Sequence, residues 1–142
     1  MTEEKKQIIV ATSGYFDPLH IGHLECFELS RKFGDKLIVI INNDQQAKLK
    51  KGAAFMPAEE RAKIVQALKY VDEVFISIDM DSTVRKSLEF LKPDIFTKGG
   101  DRFSTEIPEA EICRKLGIRM IDGLGNKIQS SSWLIERANK DK

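Results

Sequence analysis

"QIIVATSGYFDPLHIGH", Gln7 to His23, is the stretch on which the fold turns. Gln7–Ala11 is a short, mostly β-branched apolar run and predicts a strand covered on both faces. Gly14 then permits a tight backbone path, and Pro18 suits the approach to a helix start. From Ile21 the apolar period changes to that of a helix, with Ile21, Leu24, Phe27 and Leu29 turned inward. The predicted helix, Ile21–Phe33, stops at Gly34. Strand, tight turn and helix make the first half of a βαβ unit. The chain has only two histidines, His20 and His23, and both fall in that turn.

Outward from this stretch the alternation continues. Further strands are predicted at Lys36–Asn42, Val74–Ile78, Ile95–Thr97 and Ile118–Ile121, and further helices at Pro57–Tyr70, Ser82–Leu91, Glu109–Leu116 and Ser132–Asn139. Pro57 opens the second helix, with Glu59 and Glu60 near its positive end. Asp81 or Ser82 is expected to cap the third. Five strands alternating with helices predict an α/β fold: a Rossmann-like, doubly wound parallel five-stranded sheet with right-handed crossovers. No internal repeat or linker interrupts the 142 residues, so one domain spanning 1–142 is expected. Such sheets bind ligands at the carboxyl ends of their strands, where strand order reverses. Ser13–His23 lies at that edge.

Composition narrows the partners. Apolar residues make up 42 % and charged residues 32 %, with a formal net charge of +1. No overall field draws the chain to nucleic acid or a membrane. Met1 to Gln7 is polar, and no run approaches 20 apolar residues, so a cytoplasmic protein is expected. Cys26 and Cys113 lie far apart without CxxC spacing, and free, buried thiols are the expectation.

His20 and His23, spaced i and i+3, share one face of the first helical turn. Free backbone N–H groups and the helix dipole already favour an anion there. Two imidazoles beside those amides make a phosphate clamp, able to donate to oxygens whose charge rises during transfer at phosphorus. Gly22 keeps the turn open to a triphosphate. A zinc site is the competing use of two histidines, but no third Cys or His lies nearby. No metal ligands are therefore assigned.

GYFDPLHIGH resembles the GxFDxxHxGH signature of the cytidylyltransferase-like nucleotidyltransferase superfamily. The nearest likeness is to the adenylyltransferase domain of ADP-heptose synthase. The resemblance implies an enzyme that joins a nucleoside triphosphate to a phosphorylated acceptor and releases pyrophosphate. It implies that His20 and His23 hold the triphosphate and stabilise the α-phosphorus. Tyr15 and Phe16 would offer backbone contacts to nucleotide, and Asp17 would support the loop.

Other segments extend the likeness. Asn42, Asn43 and Asp44 follow the second strand and resemble the family's NSD-type loop. Lys48, Lys50 and Lys51, in KLKKGAAF, form a basic tract. Family members place a lysine here to bridge acceptor phosphate and α-phosphate, and Lys51 is the candidate, with Lys48 or Lys50 beside it. Arg61 matches a family arginine, its alternative being an exposed helix charge. Asp44, Lys48, Lys50 and Arg61 are thus the acceptor-binding candidates.

KPDIFTKGGD, Lys92–Asp101, resembles the PDxxVKGGD segment of the heptose enzyme, and places Lys98, Gly99 and Asp101 against the nucleotide. Ser130, Ser131 and Ser132 resemble the terminal STT/STS motif, a second anion cradle. The chain lacks the arginine that glycerol-phosphate cytidylyltransferases carry before that motif, which fits the adenylyl branch.

The resulting expectation is adenylyl transfer from ATP to a sugar 1-phosphate such as heptose 1-phosphate. Magnesium arrives with the triphosphate as cofactor, and a homodimer is implied by the family. A CTP-dependent cytidylyltransferase acting on glycerol phosphate or a similar polyol phosphate is the alternative; a flavin- or pantetheine-directed adenylyltransferase comes third. A regulatory nucleotide-binding module would show a broken HxGH or missing lysines, and this chain has both intact. Residues 102–113 match the family least.

Overall fold

The computed structural model describes residues 7–99 and 108–124. In chain order its elements are β1 (Ile9–Gly14), α1 (Ile21–Arg31), β2 (Lys36–Ile41), α2 (Asp44–Lys51), α3 (Ala58–Gln66), β3 (Glu73–Ile76), α4 (Arg85–Leu91), β4 (Ile95–Gly99), α5 (Ala110–Leu116) and β5 (Arg119–Leu124). The strands form one parallel sheet in the order β3-β2-β1-β4-β5. Val10 lies opposite Leu37 on one side and Ile95 on the other, so β1 is the central strand at which the order reverses. This is the α/β doubly wound, Rossmann-like sheet expected from the sequence.

Both faces of the sheet are covered, which is why its strands read as unbroken apolar runs. On one face Val10, Leu37, Val39 and Ile41 pack with Phe27 of α1 and Val65 of α3. On the other Ala11, Ile40 and Phe96 pack with Leu88 of α4 and Cys113 of α5. Cys26 and Cys113 are free and buried, as expected. The amino edge of the sheet is closed by aspartates: Asp35, Asp72 and Asp94 accept from the backbone N–H groups of Ile8, Leu37 and Ile9. The carboxyl edge is left for the site.

Several boundaries differ from the sequence reading, each for a local reason. β1 runs on through Gly14 rather than ending at Ala11, its last three residues pairing with Val39, Ile40 and Ile41. α2 occupies a stretch read as loop. It is polar almost all round, so it shows no apolar period, and it is started instead by a reciprocal cap: Asn43 Oδ1 accepts from Gln46 N–H, while Gln46 Oε1 accepts from Asn43 N–H. α1 ends at Arg31 and α3 at Gln66, both short of expectation. α4 begins at Arg85, because Asp81 Oδ1 accepts from Thr83 N–H and hydroxyl, holding residues 81–83 in a turn. The first-turn N–H groups of Lys86 and Ser87 in α4 are met by neither Asp81 nor Ser82 but by the Asp79 carboxylate, the N-cap position itself being Val84. The expected helix at Ser132–Asn139 lies outside the described residues. No helix among the described residues is long and apolar enough to cross a membrane.

Candidate active site

The turn after β1 is shaped by Phe16. Its backbone is left-handed at φ 52°, unusual for a residue with a side chain, and its ring is 5 % exposed. That ring packs edge-on against His23 at 4.8 Å and against Phe27 at 5.2 Å. It also lies so close over Gly14 that a Cβ there would meet the ring at 2.7 Å. Glycine at 14 is therefore a packing requirement of the turn. Asp17, itself buried, accepts from the N–H groups of Phe55 and Met56 and ties the turn to the loop before α3.

The two histidines cap α1 with their own rings. Gly22 N–H donates to His20 Nδ1 at 3.1 Å, and His20 N–H donates to His23 Nδ1 at 3.0 Å. The rings lie side by side, centroids 3.9 Å apart. An imidazole that accepts at Nδ1 carries its proton on Nε2 when neutral. Both rings are thereby set as Nε2–H donors. Burial, with a smaller contribution from His20, pushes the His23 pKa down to about 4. His23 is a neutral donor at physiological pH.

A cavity of about 900 Å³ opens at this edge. Of the residues singled out in the sequence, it brings together Gly14, Tyr15, Phe16, Asp17, His20, His23, Lys50 and Lys98. Lys50 Nζ sits 4.7 Å from the centre of the Tyr15 ring, and Lys98 Nζ donates to Ser13 Oγ at 3.4 Å. Gly22 serves from behind, through its N–H to His20. Lys48 is exposed on α2 and away from the cavity wall. Lys51 closes α2 and Gly99 closes β4. Asp101, Ser130, Ser131 and Ser132 lie outside the described residues.

Arg61 and Asp44 call for a correction. Arg61 is 1 % exposed, and its guanidinium is bonded to groups of the protein itself. Nε donates to Met56 O, Nη1 to Tyr15 O and Asn42 O, and Nη2 to Asp44 Oδ1, each at 2.8 Å. The same Asp44 oxygen accepts from Ala58 N–H. Four of the five N–H donors of Arg61 are committed within the fold, and the side chain is closed off from solvent, so it presents no face to an acceptor phosphate. The pair is a tie that fixes Tyr15, the end of β2 and the start of α3 to one another. Neither residue lines the cavity.

Sequence reasoning missed Leu49, Asp81, Ser82 and Glu109, all on the cavity wall. Thr83, through its hydroxyl and N–H, holds the Asp81 carboxyl below the usual range. Glu109 stands directly before α5, where it read only as a helix start. Among the described residues no three His, Cys, Asp or Glu side chains are arranged to hold a metal ion. Chemically, the arrangement offers two imidazole N–H donors and two ammonium groups around one cavity.

The comparisons agree with that chemistry. A family model described as cytidylyltransferase-like matches residues 11–136. The FAD synthase of Thermococcus kodakarensis is 37 % identical over 123 residues, covering 83 % of this chain and 79 % of that protein. The FAD synthase of Thermococcus onnurineus is 41 % identical over 121 residues, with 81 % and 77 % covered. The bifunctional protein HldE of Hahella chejuensis is 37 % identical over 137 residues; the match takes in 94 % of this chain but only 28 % of HldE. A crystal structure of the lipopolysaccharide core biosynthesis protein of Thermoplasma volcanium superposes with a TM-score of 0.70 at 29 % identity, over 82 % of this chain and 96 % of that one. With its paired donors at the mouth of the first crossover and this match over nearly its whole length, the chain belongs to the cytidylyltransferase-like family and is a nucleotidyltransferase.

Proposed function

We propose that the enzyme transfers an adenylyl group from ATP to the phosphate of a sugar phosphate, heptose 1-phosphate being the nearest example. An acceptor phosphate oxygen attacks the α-phosphorus in line, and pyrophosphate leaves. The nucleophile is already ionised near neutral pH, so no general base is required. Catalysis is then positioning plus stabilisation of charge on the phosphate oxygens. The observation that carries this reading is the pair of Nε2–H donors on His20 and His23, fixed by the α1 cap and facing the same cavity as Lys50 and Lys98. His23, a neutral donor, can hydrogen-bond to phosphate without a proton having to be lost or gained.

A sugar is favoured by the polar residues Asp81, Ser82 and Glu109 in the lining of the cavity. FMN is the second reading, favoured by the relatives named FAD synthase. Magnesium arriving with the triphosphate would neutralise part of its charge. Pairing of two chains belongs to the same proposal. Exposed Ile78, Met80 and Phe90 beside the β3 edge support it, and sedimentation velocity giving twice 16.1 kDa would bear it out.

The deciding experiment measures pyrophosphate release with each nucleoside triphosphate against heptose 1-phosphate, FMN and glycerol 3-phosphate. ATP with heptose 1-phosphate is expected to be the fastest pair. Turnover with CTP alone overturns the adenylyl assignment, and preference for FMN overturns the sugar.

A further inference from the structure

Two buried side-chain oxygens among the described residues have no hydrogen-bond partner, Tyr15 Oη and Glu109 Oε1. Both residues line the one cavity just described. Folded chains seldom leave a buried polar atom unsatisfied, and two at one wall point to a ligand that satisfies them. Glu109 is 3 % exposed, and its other oxygen is committed, accepting from Val84 N–H at 3.0 Å. That bond fixes the carboxylate and leaves Oε1 over. Tyr15 is equally fixed, by Arg61 at its carbonyl and Lys50 over its ring. Burial raises the Tyr15 pKa, Arg61 opposes this, and Glu109 adds to it; the phenol stays protonated.

The two walls differ in charge because they come from opposite faces of the sheet. His20 and His23 belong to the α1 layer, while Glu109 and Asp81 border the α4–α5 layer. A phosphate is drawn to the first wall and repelled by the second. A hydroxyl donates well to a carboxylate and suits the second. We propose that Glu109 and Tyr15 form a hydroxyl-reading subsite: Glu109 Oε1 accepts from a hydroxyl on the acceptor's carbon chain, and Tyr15 Oη bonds an adjacent one. The inference rests on the nucleotidyl-transfer reading of the cavity. Its ligand chemistry, a chain of hydroxyls ending in phosphate, is shared by a sugar phosphate and the ribityl phosphate of FMN.

Glu109→Gln is the informative variant. Its amide oxygen can still accept from Val84 N–H, while its NH₂ presents a donor where the carboxylate presented an acceptor. Tyr15→Phe removes Oη alone, and serves if the first variant folds poorly by thermal melt. Each is compared with wild type by steady-state kinetics, and by equilibrium binding of heptose 1-phosphate and of FMN to protein loaded with the non-transferable analogue AMPCPP. The variants should raise the KM or Kd of the hydroxylated ligand by roughly tenfold or more, leaving kcat and AMPCPP affinity within about twofold. They should also lose wild-type discrimination against a matched deoxy sugar phosphate, a loss that a merely structural role would not cause. Equal affinity for both ligands in wild type and variants overturns the inference, as does failure of wild type to bind either. A binding difference without turnover upholds the subsite and overturns the proposed function, so the two failures are told apart. The arm showing the larger shift identifies the source of the hydroxyls.

Discussion

The turn from Tyr15 to His23 and the segment from Asn42 to Arg61 border the same edge of the sheet, and both are rich in polar side chains that match family positions. They put those side chains to opposite use. In the first, His20 and His23 bond backward through Nδ1 and leave Nε2–H for the cavity. In the second, Arg61 spends its guanidinium on Met56, Tyr15 and Asn42 inside the protein and on one oxygen of Asp44 at the rim. A charged group near a binding edge serves the ligand only if its hydrogen-bonding capacity is not already used up by the fold.

The sharpest way to break that contrast is at Arg61. Arg61→Met should strip donors from the Tyr15, Asn42 and Met56 carbonyls and cost about 3–5 kcal/mol of stability by denaturant titration. Arg61→Lys should recover little of it, since an ammonium cannot reproduce the planar fork. A loss under about 1 kcal/mol, with acceptor KM strongly raised, would return Arg61 to acceptor binding.

The histidines test the other side. His20→Asn keeps a side-chain oxygen at the helix start, where Asn caps as well as any residue, but loses the Nε2–H. Turnover should fall by roughly 10²–10³-fold with the melting temperature nearly unchanged. His20→Ala should lose the same activity and about 1 kcal/mol of stability besides, because the cap goes with the ring. Near-normal turnover in the Asn variant would remove His20 from catalysis.

The degree to which this was legible in the sequence follows the same division. Strands buried on both faces announce themselves as β-branched runs, so all five were placed. α2 was not, because its start is written in Asn43 and Gln46 rather than in apolar spacing. His20 and His23 stood out because their chemistry is local to one helical turn. Arg61 and Glu109 owe their roles to partners far along the chain, Tyr15 at 46 residues and Val84 at 25, and no local pattern reports such a bond.

Acidification probes the cap from within. His23 has its pKa lowered to about 4 in the folded protein, against about 6.5 when unfolded. Between these values the unfolded chain binds the extra proton, so stability falls as pH falls from 6.5 to 4 and is fully present above 6.5. The contribution is bounded at about 3 kcal/mol and reduced by solvent at the rim. Protonation also places a hydrogen on Nδ1, the atom that accepts from His20 N–H, so the share of activity that depends on His23 should be lost near pH 4. His23→Asn should flatten the stability slope in denaturant titrations at pH 4 to 7. An unchanged slope would mean that other groups carry it.

The smallest effects separate neighbouring lysines on α2. Lys50 lies over the Tyr15 ring at the cavity, whereas Lys48 is exposed away from it. An exposed cation–π contact is worth about 0.5–1 kcal/mol, so Lys50→Met should cost no more than that in stability. On the proposed function its larger consequence is the loss of a positive charge beside the substrate phosphates, which should raise KM for acceptor several-fold while Lys48→Met leaves every constant within about twofold. The ratio of the two KM changes is the measurement, since it cancels any shift in overall charge. Equal effects would mean that α2 acts as a general basic surface. A Lys50-specific effect would instead place one ammonium at the phosphate, with Tyr15 holding it there.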